Sequence, residues 1–232
     1  MRLAVVIPAY NEEASLPALI HEISLLAIDN VDIVPIVIND CSADTTAVVA
    51  RKLEVELLDL AVNLGIGGAV QTGMIYAFNT GFDYAIQVDG DGQHPPKEIP
   101  KMLAAINSTE ANVVIGSRFI TGEGFQSSGF RRMGIGYLRV IIKLMTGLNI
   151  TDSTSGFRLY DRKAMAEIKA YYPDEYPEPE AIIYFKRKGL KISEIPIIME
   201  SRQGGKTSIS FFNSIYYFWK VSLALFFSYL KS

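Results

Sequence analysis

Only one cysteine, Cys41, occurs in 232 residues. A disulfide framework is therefore excluded, and a reducing compartment is permitted. An excess of positive charge is also missing. Lys+Arg number 22 against 25 Asp+Glu, a net of −3, so the chain as a whole is not a basic nucleic-acid binder. Internal repeats are absent, and 49% hydrophobic residues argue against disorder or low-complexity scaffolding. A chain of this size makes one domain of typical enzyme dimensions, burying roughly 70–75% of its unfolded surface. No cleavable leader is expected, because Met1–Ile7 runs directly into a strand-like apolar segment.

What is present is an alternation. Leu3–Ile7 is an unbroken apolar run that stops at Pro8, as expected of a parallel strand covered on both faces. Asn11 reads as a helix cap before Leu16, Leu19, Ile20, Ile23 and Leu26, which recur at helical spacing. Ile36–Ile38 is the next strand, and Asp44 caps a helix to about Leu53. Val55–Leu58, a helix over Gly68–Asn79, Tyr84–Val88, a helix after Pro96, and Val113–Ile115 continue the series. The pattern predicts an α/β fold with a mostly parallel central sheet flanked by helices. Beyond Gly122 the texture changes. No acidic residue lies between Gly124 and Thr151, where Arg131, Arg132, Arg139 and Lys143 fall, and Phe211–Leu230 is strongly apolar and aromatic.

The sharpest local feature is Asp89-Gly90-Asp91-Gly92-Gln93-His94-Pro95, directly after an apolar run. In open α/β sheets ligands bind beyond the carboxyl ends of strands, which is where this turn falls. Two carboxylates on a glycine-loosened loop can converge on one hard cation. Asp91 would ligate directly and Gln93 would add a carbonyl oxygen. Asp89 would ligate or hold a metal-bound water or a ribose hydroxyl. So sparse a shell suits Mg²⁺, which keeps several waters and joins carboxylates to substrate phosphates, or Mn²⁺, which takes the same ligands. The alternative is an Asx turn that merely ends the strand. His94 reads equally as a ligand, a base or a residue that shapes the loop. Gly65, Gly67, Gly68 and Gly73 do not make the dinucleotide fingerprint, since their spacing is wrong and they do not follow the first strand.

Taken in order, Val5–Glu13 (VVIPAYNEE), Ile38–Thr46 (INDCSADTT), Asn63–Gly73 (NLGIGGAVQTG), Gln87–Pro95 (QVDGDGQHP), Ile115–Phe119 (IGSRF), Asp152–Arg162 (DSTSGFRLYDR) and Arg202–Ile209 (RQGGKTSI) resemble glycosyltransferase family 2, and within it the dolichol-phosphate mannose synthase branch. The resemblance implies a GT-A nucleotide-sugar fold over residues 1–210. It also implies that Pro8, Ala9, Tyr10 and Glu12 line a nucleotide pocket and that Asp40, with Asn39 beside it, meets the base. Asn63 and Gly68 would shape the pocket floor, and Asp89, Gly90, Asp91 and Gln93 would carry the metal and diphosphate. Asn39 departs from the acid usual in the family, which leaves the base unidentified.

A lipid-phosphate acceptor is already anionic near neutral pH, so cations matter more than a base. Arginine suits bidentate phosphate recognition. The resemblance places Arg118, Arg131 and Arg202 in the phosphate-binding set, with Arg132 and Lys206 beside them. The implied reaction is metal-dependent, inverting transfer of one sugar from a nucleotide-diphosphate donor to polyprenyl phosphate at the cytoplasmic membrane face. A rival is transfer to a saccharide hydroxyl, with Glu178 or Asp152 as base. Another is a non-catalytic nucleotide-sugar-binding subunit. Glu178 and Glu180, in a proline-held loop before a helix, read either as an acceptor-side base or as charges that favour the helix N-terminus.

Two segments read as membrane-associated. A helix over 133–147 has an apolar face of Ile135, Leu138, Ile141, Ile142 and Met145 with cations elsewhere, as interfacial helices do; packing on the core is the other reading. Residues 211–232 form a C-terminal apolar helix. Its apolar residues gain about 0.3–0.6 kcal/mol each in a bilayer, while Lys220 costs about 2.5–3.5 kcal/mol, so spanning is marginal. Lying in the headgroup region, docking on a small hydrophobic membrane subunit, and packing on its own domain or a dimer mate stay open.

Overall fold

The computed structural model describes residues 1–123, 129–174, 176–200 and 220–227. A seven-stranded sheet forms the centre, with strands β1 (Arg2–Ala9), β2 (Asp32–Asn39), β3 (Glu56–Asp59), β4 (Tyr84–Gln87), β5 (Val113–Ser117), β6 (Arg158–Asp161) and β7 (Ile192–Pro196). Their spatial order is β3-β2-β1-β4-β6-β5-β7. All pairings are parallel except those of β6, which runs against both β4 and β5. The expected mostly parallel α/β sheet is therefore present.

Helices α1 (Leu16–Ser24), α2 (Thr46–Lys52), α3 (Gly65–Asn79), α4 (Ile99–Thr109), α5 (Gly129–Thr146), α6 (Arg162–Ala170) and α7 (Pro177–Arg187) cover both faces. One core layer joins Leu3, Val5, Ile7 and Ile86 to α1 and α4 through Leu16, Leu19, Met102 and Ile106. The other joins Val6, Ile36, Ile38 and Ile115 to α3, α5, α6 and α7. α3 lies close on the sheet because Gly73 has no side chain: a Cβ there would meet Val6 Cγ1 at 2.4 Å and Ile38 Cδ1 at 2.8 Å. Gly73→Ala is expected to cost about 1–3 kcal/mol by overpacking. At about 2–4 °C per kcal/mol, a thermal melt should show a midpoint lower by roughly 2–12 °C.

Several local expectations change. β1 continues through Pro8 to Ala9, since Pro8 faces β4 only after β4 has ended at Gln87 and its missing N–H costs no ladder bond. Asn11 does not cap α1, whose N-cap is Ser15. It sits at φ 58° and its Oδ1 accepts the Ala43 N–H at 2.8 Å, clipping the loop after β1 to the loop after β2. Asp44 does hold the start of α2, accepting from the Thr46 N–H at 2.9 Å. Burial raises its pKa, but the Thr46 hydroxyl and backbone bonds outweigh that and hold it below the usual carboxylate value. α3 begins at Gly65 rather than Gly68. The prolines at 177 and 179 stand inside the first turn of α7 rather than before it, where their missing N–H groups leave no helical bond unmade.

Candidate active site

The parallel strands end together at one edge, and the chain reverses its winding between β1 and β4, the position where open sheets leave a crevice. A cleft of about 260 Å³ lies there. Its walls are Pro8, Ala9, Tyr10 and Glu12 from the end of β1, Asp40 after β2, and Asp89, Gly90 and Asp91 after β4. Ile66 and Ala69 of α3 complete it. Sequence reading missed these two; the glycine-rich start of α3 was the available signal, with the lining residues standing one position away from Gly67 and Gly68.

Asp40 is buried at the cleft wall and fixed from behind. Its Oδ1 accepts the Leu64 N–H at 2.6 Å, and Asn63 Nδ2 donates to its carbonyl at 3.0 Å. Asn63 thus acts on the cleft through Asp40 and does not line it. Gly68 does not line it either; a Cβ there would collide with Leu64 at 2.5 Å. Asn39 is placed differently from the expectation. It is in register with Asp59 on β3, donates to Asp59 Oδ1 at 2.7 Å, and is turned away from the cleft, while Arg51 holds the other Asp59 oxygen.

The acidic turn is anchored at several points. Gly90 donates its N–H to Pro8 O at 3.3 Å, and a Cβ on Gly90 would sit 3.1 Å from that same oxygen. Gly92 has φ 76°, a conformation that favours glycine. Asp91 Oδ1 accepts the Gln93 N–H at 3.0 Å, and Gln93 is not among the residues that wall the cleft. His94 is buried, packs on Phe157 at 5.2 Å between ring centroids, and accepts the Asp89 N–H on Nδ1 at 3.0 Å. That acceptor role puts the neutral ring's proton on Nε2, 3.7 Å from Asp89 Oδ2. Of its three readings, His94 therefore fits that of a residue holding the turn in shape. Asp89 and Asp91 both face the cleft, and among the described residues no cluster of three or more His, Cys, Asp or Glu side chains offers a fuller metal cage. Two hard carboxylate oxygens with room for substrate phosphate and water are a donor set that fits Mg²⁺ or Mn²⁺.

Arg118 follows β5 but is only 7% exposed. Its Nε and Nη2 grip both oxygens of the fully buried Asp152 at 2.7 Å, and Nη2 also reaches Thr154 Oγ1 at 3.1 Å. The backbone N–H groups of Thr151 and Asp152 are held in turn by Glu194. Asp152 is consequently not an accessible base. Glu180 is buried, and both Glu178 and Glu180 stand in the first turn of α7, where negative charge favours the helix. Arg132 is exposed on α5 and, with Arg139, Phe119 and Thr151, lines a second recess of about 200 Å³. The Arg131 side chain, and the whole of Arg202 and Lys206, lie outside the described residues. Glu200, just before that last segment, donates its N–H to Gln93 O at 3.2 Å and accepts from Lys97, so the chain leaves the described region beside the acidic turn.

Residues 4–169 match the family model described as glycosyl transferase family 2. The chain belongs to that family. The family 2 match spans β1 through α6 and so contains the whole cleft. Among relatives, an undecaprenyl-phosphate mannosyltransferase of Micrococcus luteus is 31% identical over 221 residues, covering 90% of this chain and 88% of its own. A UDP-N-acetylglucosamine–dolichyl-phosphate N-acetylglucosaminyltransferase of Methanococcus voltae is 30% identical over 212 residues, covering 83% of both chains. Among solved structures, glucosyl-3-phosphoglycerate synthase of Mycobacterium tuberculosis, in complex with Mn²⁺, UDP-glucose and phosphoglyceric acid, aligns with a TM-score of 0.70 at 21% identity, over 98% of this chain and 79% of its own. These establish a glycosyltransferase enzyme with the GT-A fold.

Proposed function

We propose that this family 2 enzyme moves a single sugar from a nucleoside-diphosphate sugar to a polyprenyl phosphate, by metal-dependent, inverting transfer at the cytoplasmic face of a membrane. The observation that carries the reading is the convergence of Asp89 and Asp91 with Asp40, Glu12 and Tyr10 on one cleft at the sheet edge. The relatives' lipid-phosphate acceptors support the second half.

In this reading Pro8, Ala9 and Tyr10 enclose the nucleoside, and Asp40, rigid between Asn63 and Leu64, presents its free edge to the base. Asp89 and Asp91 would hold the Mg²⁺ or Mn²⁺, with Gln93 fixing the turn through its N–H. The bound ion supplies charge neutralisation on the diphosphate leaving group. An oxygen of the acceptor phosphate attacks the anomeric carbon from the face opposite the bond to the nucleotide. That bond breaks, the nucleoside diphosphate departs, and the configuration inverts. An anionic nucleophile needs no proton removed, which agrees with a buried, arginine-bound Asp152. Arg131, Arg132, Arg202 and Lys206 would bind the acceptor phosphate, whereas Arg118, bound to Asp152 and Thr154, holds the loop that carries those two residues. The test uses vesicles containing polyprenyl phosphate with labelled UDP- and GDP-sugars and Mn²⁺. Label should enter a lipid-extractable product of inverted anomeric configuration. Transfer to soluble glycans alone would move the reading to a saccharide hydroxyl, and donor binding without any transfer would leave a binding subunit.

Of the two readings of the apolar face of 133–147, packing on the core is the one its burial fits, which leaves the opposite face of α5 for a membrane. Ile135, Leu138 and Ile142 are buried in the core, so that face of α5 packs on protein. The exposed face carries a second apolar stripe, Met133, Tyr137, Val140 and Leu144, the last 82% exposed, bordered by Arg132, Arg139 and Lys143. Residues 220–227 pack beside it: Val221 and Leu225 are buried in the same core, Ser222 bonds Tyr137 at 3.2 Å, and Leu223, Phe226 and Phe227 are exposed. Among the described residues no helix is long and apolar enough to cross a membrane; residues 211–219 and 228–232 of the expected C-terminal helix lie outside them. An apolar ridge rimmed by cations is complementary to an anionic bilayer surface. Leu144→Asp removes about 1.5–3 kcal/mol of apolar burial. Sedimentation with anionic vesicles should show binding weakened about 10–100-fold, with the melting temperature unchanged; unaltered vesicle binding would remove this face from the membrane contact.

A further inference from the structure

Among the described residues, four buried side-chain atoms have no hydrogen-bond partner: Gln87 Oε1, Ser153 Oγ, Arg158 Nη1 and Tyr160 OH. They come from β4, β6 and the loop between Asp152 and Phe157, immediately behind the acidic turn. The β4–β6 register pairs Ile86 with Leu159, so Gln87 and Arg158 follow as the next opposed residues. Both are inaccessible to solvent.

Arg158 is the unusual member, since among the described residues no carboxylate forms an ion pair with its fully buried guanidinium. Its Nε donates to Ser155 O at 2.8 Å and its Nη2 to Ser153 O at 3.0 Å. Nearby Tyr160 and Tyr172 do not supply the missing negative charge, because burial raises both phenols above their usual pKa and keeps them neutral. A buried charge spent on two carbonyls costs stability that an apolar residue would not. What those bonds achieve is position. They pin the loop immediately before Gly156, and a Cβ at Gly156 would lie 2.8 Å from Gln87 Nε2 and 3.4 Å from both Asp89 carboxylate oxygens. Gln87 Nε2 in turn donates to Asp89 Oδ1 at 3.0 Å.

We infer that Gln87 and Arg158 are positioning residues for the Asp89 carboxylate: Gln87 orients it directly, and Arg158 clamps the 153–156 loop whose glycine leaves the space both need. The inference rests on the proposed role of Asp89 in holding a divalent cation. Partners that orient a metal's ligands typically contribute 10–100-fold in affinity or activity.

The experiment measures Mn²⁺ affinity of the intact protein by electron paramagnetic resonance, with UDP or GDP present and no acceptor, beside thermal melts and steady-state kinetics. Gln87→Leu should stay folded and bind Mn²⁺ about 10–100-fold more weakly, with kcat recovering as Mn²⁺ is raised. Gly156→Ala, whose Cβ would meet Gln87 Nε2 at 2.8 Å and so press on the Gln87–Asp89 bond, should weaken Mn²⁺ in the same direction. Arg158→Lys should recover part of the affinity lost in Arg158→Met. Folded Gln87→Leu and Gly156→Ala proteins with wild-type Mn²⁺ affinity would overturn the inference. A wild-type protein that binds no Mn²⁺ would instead overturn the metal reading of Asp89 itself, so the two failures are distinguishable.

Discussion

Asp91→Ala should lower sugar transfer by at least about 100-fold, the scale on which removing one preorganised charge-stabilising group acts, while the thermal midpoint moves by no more than about 2 °C. The separation of the two effects follows from where Asp91 stands. It is partly exposed on the cleft wall, and the bond it receives from the Gln93 N–H is local to the turn. No buried packing is lost, so the stability change falls within the range of ordinary surface substitutions, about 0.5 kcal/mol. Transfer suffers because the turn then presents one carboxylate instead of two to the diphosphate. Raising Mn²⁺ should restore little, in contrast to Gln87→Leu, where the ligand remains and only its orientation is loosened. Turnover of the folded variant close to wild type would remove Asp91 from the chemistry.

The second large effect is expected on stability. Asp152 is fully buried, receives two guanidinium bonds and the backbone N–H of Arg118, and lies in a loop held by Glu194. Asp152→Ala takes the carboxylate from a nearly buried cation. Breaking such a pair costs about 3–5 kcal/mol. For a chain of this size that lowers the melting temperature by roughly 6–20 °C. Asp152→Asn, which keeps shape but not charge, should fall between Ala and wild type. The measurement also separates the acceptor rivals: an accessible catalytic base would show its loss mainly in kcat with little change in melting, the opposite of the expected result.

The parallel half of the molecule was legible because β1 and the inner part of β2 are short unbroken apolar runs closed by Pro8 and Asn39, and the strands beside them are built around shorter apolar stretches. β6 was not, since Arg158-Leu159-Tyr160-Asp161 places a charged and a phenolic side chain toward one core layer and a single leucine toward the other. The acidic turn could be read from its glycines and its place after an apolar strand. The orientation of Asn39 could not, because its partner Asp59 lies on a neighbouring strand twenty residues away. Arg118 and Asp152 were both singled out from sequence, yet as a cation for phosphate and a candidate base. Their pairing across 34 residues is a tertiary fact. On α5 both faces are apolar, and periodicity alone does not say which of them the core will take.

The central claim is that the turn at Asp89 and Asp91 holds a divalent cation against a nucleoside diphosphate. The most direct measurement is a crystal structure grown with Mn²⁺ and a nucleoside-diphosphate sugar, with the metal located by its anomalous scattering. The expected result is one Mn²⁺ peak within roughly 2.0–2.2 Å of an Asp91 carboxylate oxygen, a distance typical of a small hard divalent ion, and bridged to the diphosphate in the cleft between Tyr10 and Asp40. A nucleotide bound elsewhere, or bound in the cleft with the metal away from both carboxylates, would contradict it.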